Sequence, residues 1–216
     1  MQEKKIKARQ QREISMSFYS FAAKVLRRLF SVTFNVEIDG IENIPRDRTF
    51  IVAPNHLSNF DPPVLGVFMP MQMTYMAKDT LFKVPLLGGI IRALGAFPVK
   101  KGKSDLAAVR TAIKILRENK CLVIFPEGRR SRTPGVLGEG KQGAVLIALK
   151  AKVGILPVGI DADYKFRGKV KINIGKYIDL SEYYDEKISG AELQQITDNV
   201  LMPAISELSG AKLYGN

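Results

Sequence analysis

An α/β fold, a single domain with a largely parallel central sheet flanked by helices and an N-terminal amphipathic helical extension, is predicted by three features of the sequence. Short β-branched and aromatic runs alternate with helical patterns, the order that builds parallel sheets with helices on both faces. Runs such as RTFIVAP (48–54) and CLVIF (121–125) are apolar with little alternation, as strands covered on both sides are. The 216 residues, 46% hydrophobic and 25% charged, suit one compact domain and exclude extended disorder. No internal repeat or interior linker interrupts them, so the division expected is a helix over 1–30 and a domain over 31–216.

Taken in order, the elements have local causes. Thr33–Ile38 reads as a strand closed by an Asp39-Gly40 turn, and Arg48–Pro54 as a second strand. Pro62–Met69 reads as a short helix entered through Asp61-Pro62, since Pro suits the first helical turn. Gln72–Ala77 is a third strand, Pro85–Leu94 a helix and Ala96–Val99 a short strand. Asp105–Asn119 is a long helix capped by Ser104, leading to the strand Cys121–Phe125. Residues 126–140 (PEGRRSRTPGVLGEG) have no periodicity, and an interior loop of 15 residues is functional or disordered. The helix Gln142–Lys152 follows, then strands at Gly154–Ile160 and near Lys169–Ile174. A last helix opens at a capping box, Ser189 with Glu192, and runs to about Ser209.

Composition narrows the chemistry. One cysteine, Cys121, excludes a disulfide framework and a Cys-based zinc site, and one histidine excludes a multi-His metal centre. Cys121 opens a strand and reads as a small core residue. The formal charge of +12 calls for an anionic partner: nucleic acid, lipid headgroups, phosphorylated metabolites or an acidic protein. Residues 1–30 carry eight basic and two acidic side chains. Ile14, Phe18, Phe21, Val25 and Leu29 recur there at helical steps, with Ala22, Leu26 and Phe30 alongside and Lys24, Arg27 and Arg28 opposite. The longest uncharged run, Ile14 to Ala23, has ten residues, short of the ~20 that span a bilayer, and no signal-peptide pattern follows the basic head. Two readings fit: an in-plane helix on an anionic membrane leaflet, or a helix covering the core behind a basic tail.

Two motifs carry candidate chemistry. In Asn55-His56-Leu57-Ser58-Asn59-Phe60-Asp61 the lone histidine follows an apolar strand, where α/β proteins place functional side chains. Asp61, five residues on, can accept the imidazole Nδ1–H and leave Nε2 unprotonated, as a general base requires. The same Asp61 also reads as an ordinary helix N-cap before Pro62. No serine lies in a nucleophile elbow, so His56 is free to deprotonate a substrate hydroxyl directly. In Phe125-Pro126-Glu127-Gly128-Arg129-Arg130-Ser131-Arg132, a glycine and three arginines follow a strand, a composition suited to phosphate, although a solvated basic loop has it too. Glu127 is placed to accept from a substrate hydroxyl or to hold an arginine.

Together these blocks resemble the glycerolipid acyltransferases and, within them, the 1-acylglycerol-3-phosphate (lysophosphatidic acid) acyltransferases. Asn55-His56 with Asp61, then Gly95-Ala96-Phe97-Pro98-Val99-Lys100-Lys101, then Phe125 to Ser131, then Ile155-Leu156-Pro157-Val158, match four signature blocks in order. Lys78 with Leu81-Phe82, and Lys141 with Gly143, match further positions. The resemblance runs from about residue 30 to 209. It implies His56 as base, Asp61 as its orienting partner, and Lys78, Lys101, Glu127, Gly128 and Arg130 around the glycerol phosphate, with Pro157 shaping the acyl-chain region. Lys101 stands where the second block usually ends in Arg, and Arg129 where the third usually has a small residue.

The resemblance also implies a bacterial-type enzyme on the cytoplasmic face of the membrane, peripheral and without a transmembrane span. It would act on lysophosphatidic acid with acyl-CoA or acyl-ACP (acyl carrier protein) as donor, and with no cofactor, metal or nucleic acid. Another lysophospholipid is the alternative acceptor. The rival from a different class, a basic nucleic-acid-binding module, lacks a recognition signature or aromatic stacking platform, and an idle lipid-binding relative would not need His56 and Asp61. Gly102-Lys103-Ser104 mimics the end of a P-loop without its first glycine. Gly138-x-Gly140-x-x-Gly143 mimics a dinucleotide fingerprint some 13 residues too far from its strand. Lys165, Arg167, Lys169 and Lys171 read as one solvated strand face.

Overall fold

The structure, a computed structural model, describes residues 23–85, 87–93, 95–99, 106–184 and 186–215. Seven strands form one sheet: β1 Asn35–Asp39, β2 Phe50–Pro54, β3 Met73–Lys78, β4 Ala96–Val99, β5 Cys121–Val123, β6 Gly154–Ala162 and β7 Lys169–Ile174. Their spatial order is β1-β7-β6-β2-β5-β3-β4. Every neighbouring pair is parallel except β6–β7, an antiparallel hairpin. The α/β class and largely parallel sheet expected from the sequence are therefore those of the structure.

Helices cover both faces. On one side lie α1 (residues 23–33) and α2 (Asp61–Phe68); on the other, α4 (Leu106–Arg117), α5 (Gly143–Ala151), α6 (Gly190–Ile196) and α7 (Met202–Ser209). A short α3, Leu87–Ala93, precedes β4. All five residues of β2 are buried because the strand is central and covered on both faces. In α4 the buried positions Ala108, Ala112 and Leu116 repeat every four residues, while Arg110, Lys114 and Arg117 face away from the core. α7 lies directly on β6, where a Cβ at Gly159 would stand 2.2 Å from the Leu208 carbonyl carbon. The capping box at Ser189 forms as expected, and the final helix runs to Ser209 through one π-helical stretch, Thr197–Leu201.

Of the extension expected over 1–30, residues 1–22 lie outside the described residues. The remainder belongs to α1, which continues to residue 33, so the boundary expected at residue 30 falls inside a helix. Ala23, Leu26 and Phe30 pack on the core, whereas Val25, Leu29 and Val32 are each more than half exposed. One edge of the helix thus covers the sheet and a second apolar edge faces solvent.

Candidate active site

The parallel strands β2 and β5 are neighbours, so the segments leaving their carboxyl ends start side by side. This puts the His56 and Glu127 blocks together at the edge of the sheet where such folds place their sites. Asn55 extends the sheet past the end of β2. Its Nδ2 donates to the Ile160 carbonyl at 2.8 Å, and its Oδ1 accepts from the Ile160 N–H at 2.6 Å. The strand end is thereby pinned to β6 one residue before the histidine.

His56 is held from four directions. Its backbone N–H donates to Glu127 Oε1 at 2.7 Å, and its carbonyl accepts from the Ser131 N–H at 2.8 Å. The imidazole stacks on Phe125 with ring centroids 4.1 Å apart, and Nδ1 lies 2.8 Å from Asp61 Oδ2. That oxygen also accepts the N–H groups of Leu57 and Ser58, each at 2.7 Å. A carboxylate oxygen already facing two donors is an acceptor for the ring, so Nδ1 carries the proton and Nε2 of the neutral imidazole carries a lone pair.

The N-cap reading of Asp61 does not describe its geometry. Phe60 occupies the cap, and Asp61 is the first residue of α2, its carboxylate turned back onto the histidine loop. Asp61 is 0% exposed, and its second oxygen accepts from the Tyr164 hydroxyl at 2.6 Å. Tyr164 lies in the turn between β6 and β7. Its ring sits 5.5 Å from those of Phe34 and Phe60. Burial, reinforced by the Asp61 charge, raises the phenol well above its ordinary range and keeps it a donor. Tyr164 is in none of the four blocks and is 103 residues from Asp61.

Glu127 is turned inward. It is 2% exposed, and both its oxygens accept from backbone, Oε1 from His56 and Oε2 from the Gly138 N–H at 2.5 Å. Burial pushes its carboxyl up, while those two N–H groups pull it down. Gly138 has a part in this contact, since a Cβ there would stand 2.6 Å from Glu127 Oε2. Loop 126–140 is ordered. The Lys141 N–H donates to the Pro126 carbonyl, Ser131 Oγ to the Val136 carbonyl, and the Leu137 N–H to Lys212.

The other candidate residues fall in three groups. Gly128 adopts a left-handed backbone, φ +64°, that favours glycine, and Arg130 is exposed next to Ser131. Lys78 ends β3, three residues beyond Tyr75, which pairs with Val123 of β5. By that register it stands level with Pro126, at the same edge as Arg130. Lys101 lies outside the described residues, as do Lys100 and Ser104. Pro157 is buried within β6 opposite Ala53 of β2, three residues before the histidine, and faces the core rather than this edge. Lys169 and Lys171 pair with Glu37 and Asp39 of β1 at 2.9 and 3.2 Å, as a solvated face does.

An α/β sheet that sets a buried aspartate against the imidazole of His56 at the carboxyl ends of its strands has the geometry of an enzyme site, a carboxylate orienting a histidine. A family model described as Acyltransferase matches residues 35–161, which contain both elements of the dyad and the Glu127 block. The chain belongs to that acyltransferase family. It is 32% identical over 171 residues to a 1-acyl-sn-glycerol-3-phosphate acyltransferase of Bacillus subtilis, covering 76% of this chain and 84% of that one. A protein of the same name from Streptococcus pneumoniae is 30% identical over 184 residues, 81% and 68% of the two chains. The crystal structure of the 1-acyl-sn-glycerophosphate acyltransferase PlsC from Thermotoga maritima superposes with a TM-score of 0.71. That comparison has 29% identity and covers 92% of this chain and 82% of the other.

Proposed function

We propose that the protein transfers a fatty acyl group from an acyl thioester, on coenzyme A or acyl carrier protein, to the free hydroxyl of 1-acylglycerol-3-phosphate, giving phosphatidic acid. The observation that carries the reading is the Nδ1–Asp61 bond, which leaves Nε2 as the base. In the reaction Nε2 takes the hydroxyl proton as that oxygen attacks the thioester carbonyl. The tetrahedral intermediate collapses with loss of the thiolate, and the imidazolium returns the proton to sulfur. Asp61 fixes the tautomer and stabilises the transient imidazolium, and Tyr164 fixes Asp61. No cofactor is needed, since the thioester supplies the leaving group.

Lys78 and Arg130, with Lys101 and the Gly128 backbone, hold the acceptor's phosphate at the open edge. A guanidinium and an ammonium suit a phosphate at that position. Glu127 acts from inside, by setting the height of His56 and of loop 126–140. Pro157 acts through the strand that carries Ile160 and hence Asn55. Lysophosphatidic acid is a membrane component, so the basic N-terminal segment and the exposed edge of α1 bring this site to the cytoplasmic leaflet; among the described residues no helix is long and apolar enough to cross a membrane.

The test is thiol release by the purified full chain with acyl-CoA and with acyl-ACP, product identity being read by mass. Phosphatidic acid formed from lysophosphatidic acid at a higher kcat/KM than from phosphate-free or choline-bearing lysolipids supports the reading. Preference for another lysolipid would keep the acyl transfer and replace the acceptor.

A further inference from the structure

Residues 1–30 are one candidate membrane contact offered by the sequence. The geometry points to a second contact: the turn between β6 and β7, with Phe166 at its apex, seats in an anionic lipid bilayer beside the catalytic dyad. The inference rests on the membrane-borne acceptor proposed above.

Topology puts the turn at the right edge. Pro54, the last residue of β2, pairs with Val158, yet β6 continues to Ala162. Those four further residues carry the hairpin about 13 Å past the end of β2, at ~3.3 Å per residue, so it overhangs the His56 loop. α1 ends at the same edge, where the Arg167 N–H donates to the Thr33 carbonyl at 2.6 Å. Tyr164, on this turn, reaches Asp61.

The turn is rigid and its apex is bare. The Gly168 N–H donates to Lys165, the Asp163 N–H to Lys169, and Asn35 donates to the carbonyls of both Arg167 and Gly168. Arg167 is held in a left-handed conformation, φ +60°. Phe166 stands on this pinned backbone 75% exposed. An aromatic side chain held rigidly in water contributes nothing to the core, whereas inserted among lipid chains it removes apolar surface from water.

Its surroundings select the partner. Phe60, 44% exposed and packed between Phe34 and Tyr164, links the turn to α1, whose outer edge shows Leu29 and Val32. Between residues 161 and 168 the charges balance, Asp161 and Asp163 against Lys165 and Arg167. α1 adds Lys24, Arg27 and Arg28 with no acidic residue between 23 and 33. Apolar side chains bordered by net positive charge match the interface of an anionic bilayer.

The chain contains no tryptophan, so Phe166→Trp in the full-length protein introduces a sole reporter. Val200→Trp supplies a second exposed reporter, on the α6–α7 side of the sheet. With phosphatidylglycerol/phosphatidylcholine vesicles carrying brominated acyl chains, the indole at 166 is expected to shift to the blue and be quenched, and that at 200 to do neither. Phe166→Ser should weaken vesicle partitioning about tenfold while activity on detergent-dispersed acceptor persists. Absence of quenching at 166, equal quenching at both positions, or an indole already shifted without vesicles and unmoved by them would overturn the contact. Quenching at 166 in a protein that fails to acylate lysophosphatidic acid would uphold the contact and reject the acceptor instead.

Discussion

Tyr164→Phe removes a single oxygen from the support of the dyad. The rings of Phe34 and Phe60, 5.5 Å away, keep the same neighbour, so only the 2.6 Å bond to Asp61 is lost. Asp61 has no exposed surface, and water does not replace the donor. A hydrogen bond to a charged group is worth ~1.5–3 kcal/mol, and the unfolding free energy should fall by about that amount. A less firmly held Asp61 orients His56 less well, so kcat should drop about tenfold or more with little change in KM. There is also a signature in pH. The phenol ionises well above its ordinary value of 10.0 in the folded protein, so above pH 10 the unfolded chain loses a proton that the folded chain keeps. Fewer protons on the unfolded state means stability falls as pH rises past about 10, and the Phe variant should lack that component. Denaturant melts at pH 7 and 10.5, with kcat and KM from thiol release, measure all of this. Wild-type stability together with wild-type kcat would refute the positioning argument.

Other perturbations test other parts of the site. Gly138→Ala forces a methyl to 2.6 Å from Glu127 Oε2 and should destabilise by about 1–3 kcal/mol and lower activity through His56. Gly143→Ala, with nothing within 4 Å, should leave stability equal or higher. Equal melting points for the two variants would contradict the packing account of Glu127. Arg130→Ala and Lys78→Ala should fold normally, both residues being exposed, and raise KM for lysophosphatidic acid far more than for a phosphate-free acceptor. Equal losses on both acceptors would place the phosphate elsewhere. Deleting residues 1–22 should weaken binding to anionic vesicles and flatten its dependence on salt, while acyl transfer in detergent persists. Unchanged sedimentation with vesicles would remove the basic segment from membrane attachment.

Much of this architecture was legible because it is written locally. The strands at 50–54 and 154–160 declare themselves by apolar runs, and the Ser189–Glu192 capping box fixes a helix start to the residue. Asp61 was legible both as a partner for His56, five residues away, and as a helix N-cap, and only the folded loop turns its carboxylate back onto the histidine. What escaped depends on contacts made only after folding. Tyr164 meets Asp61 across 103 residues and occupies an unremarkable turn. The extra length of β6 alone brings it there. The inward turn of Glu127 is permitted by Gly138, whose lack of a side chain was legible only as one of the three glycines of a false dinucleotide fingerprint. Asn55, beside the histidine in the first block, proves to be a clasp on Ile160. The two apolar edges of α1 look like one stripe in the sequence, because only the sheet beneath decides which edge is covered.

The claim on which the account turns is that His56 is the base and that no protein nucleophile stands in for it. The direct measurement is acyl transfer to lysophosphatidic acid by purified His56→Ala protein whose circular dichroism and melting profile match those of the parent. The histidine side chain is clamped chiefly by Asp61, and its backbone bonds to Glu127 and Ser131 survive the substitution, so the fold should persist. The account predicts a loss of turnover on the order of 10³-fold at every pH, with acceptor KM scarcely changed in the residual activity. Substantial transfer by the folded variant, or trapping of an acyl group covalently bound to the protein, would contradict it.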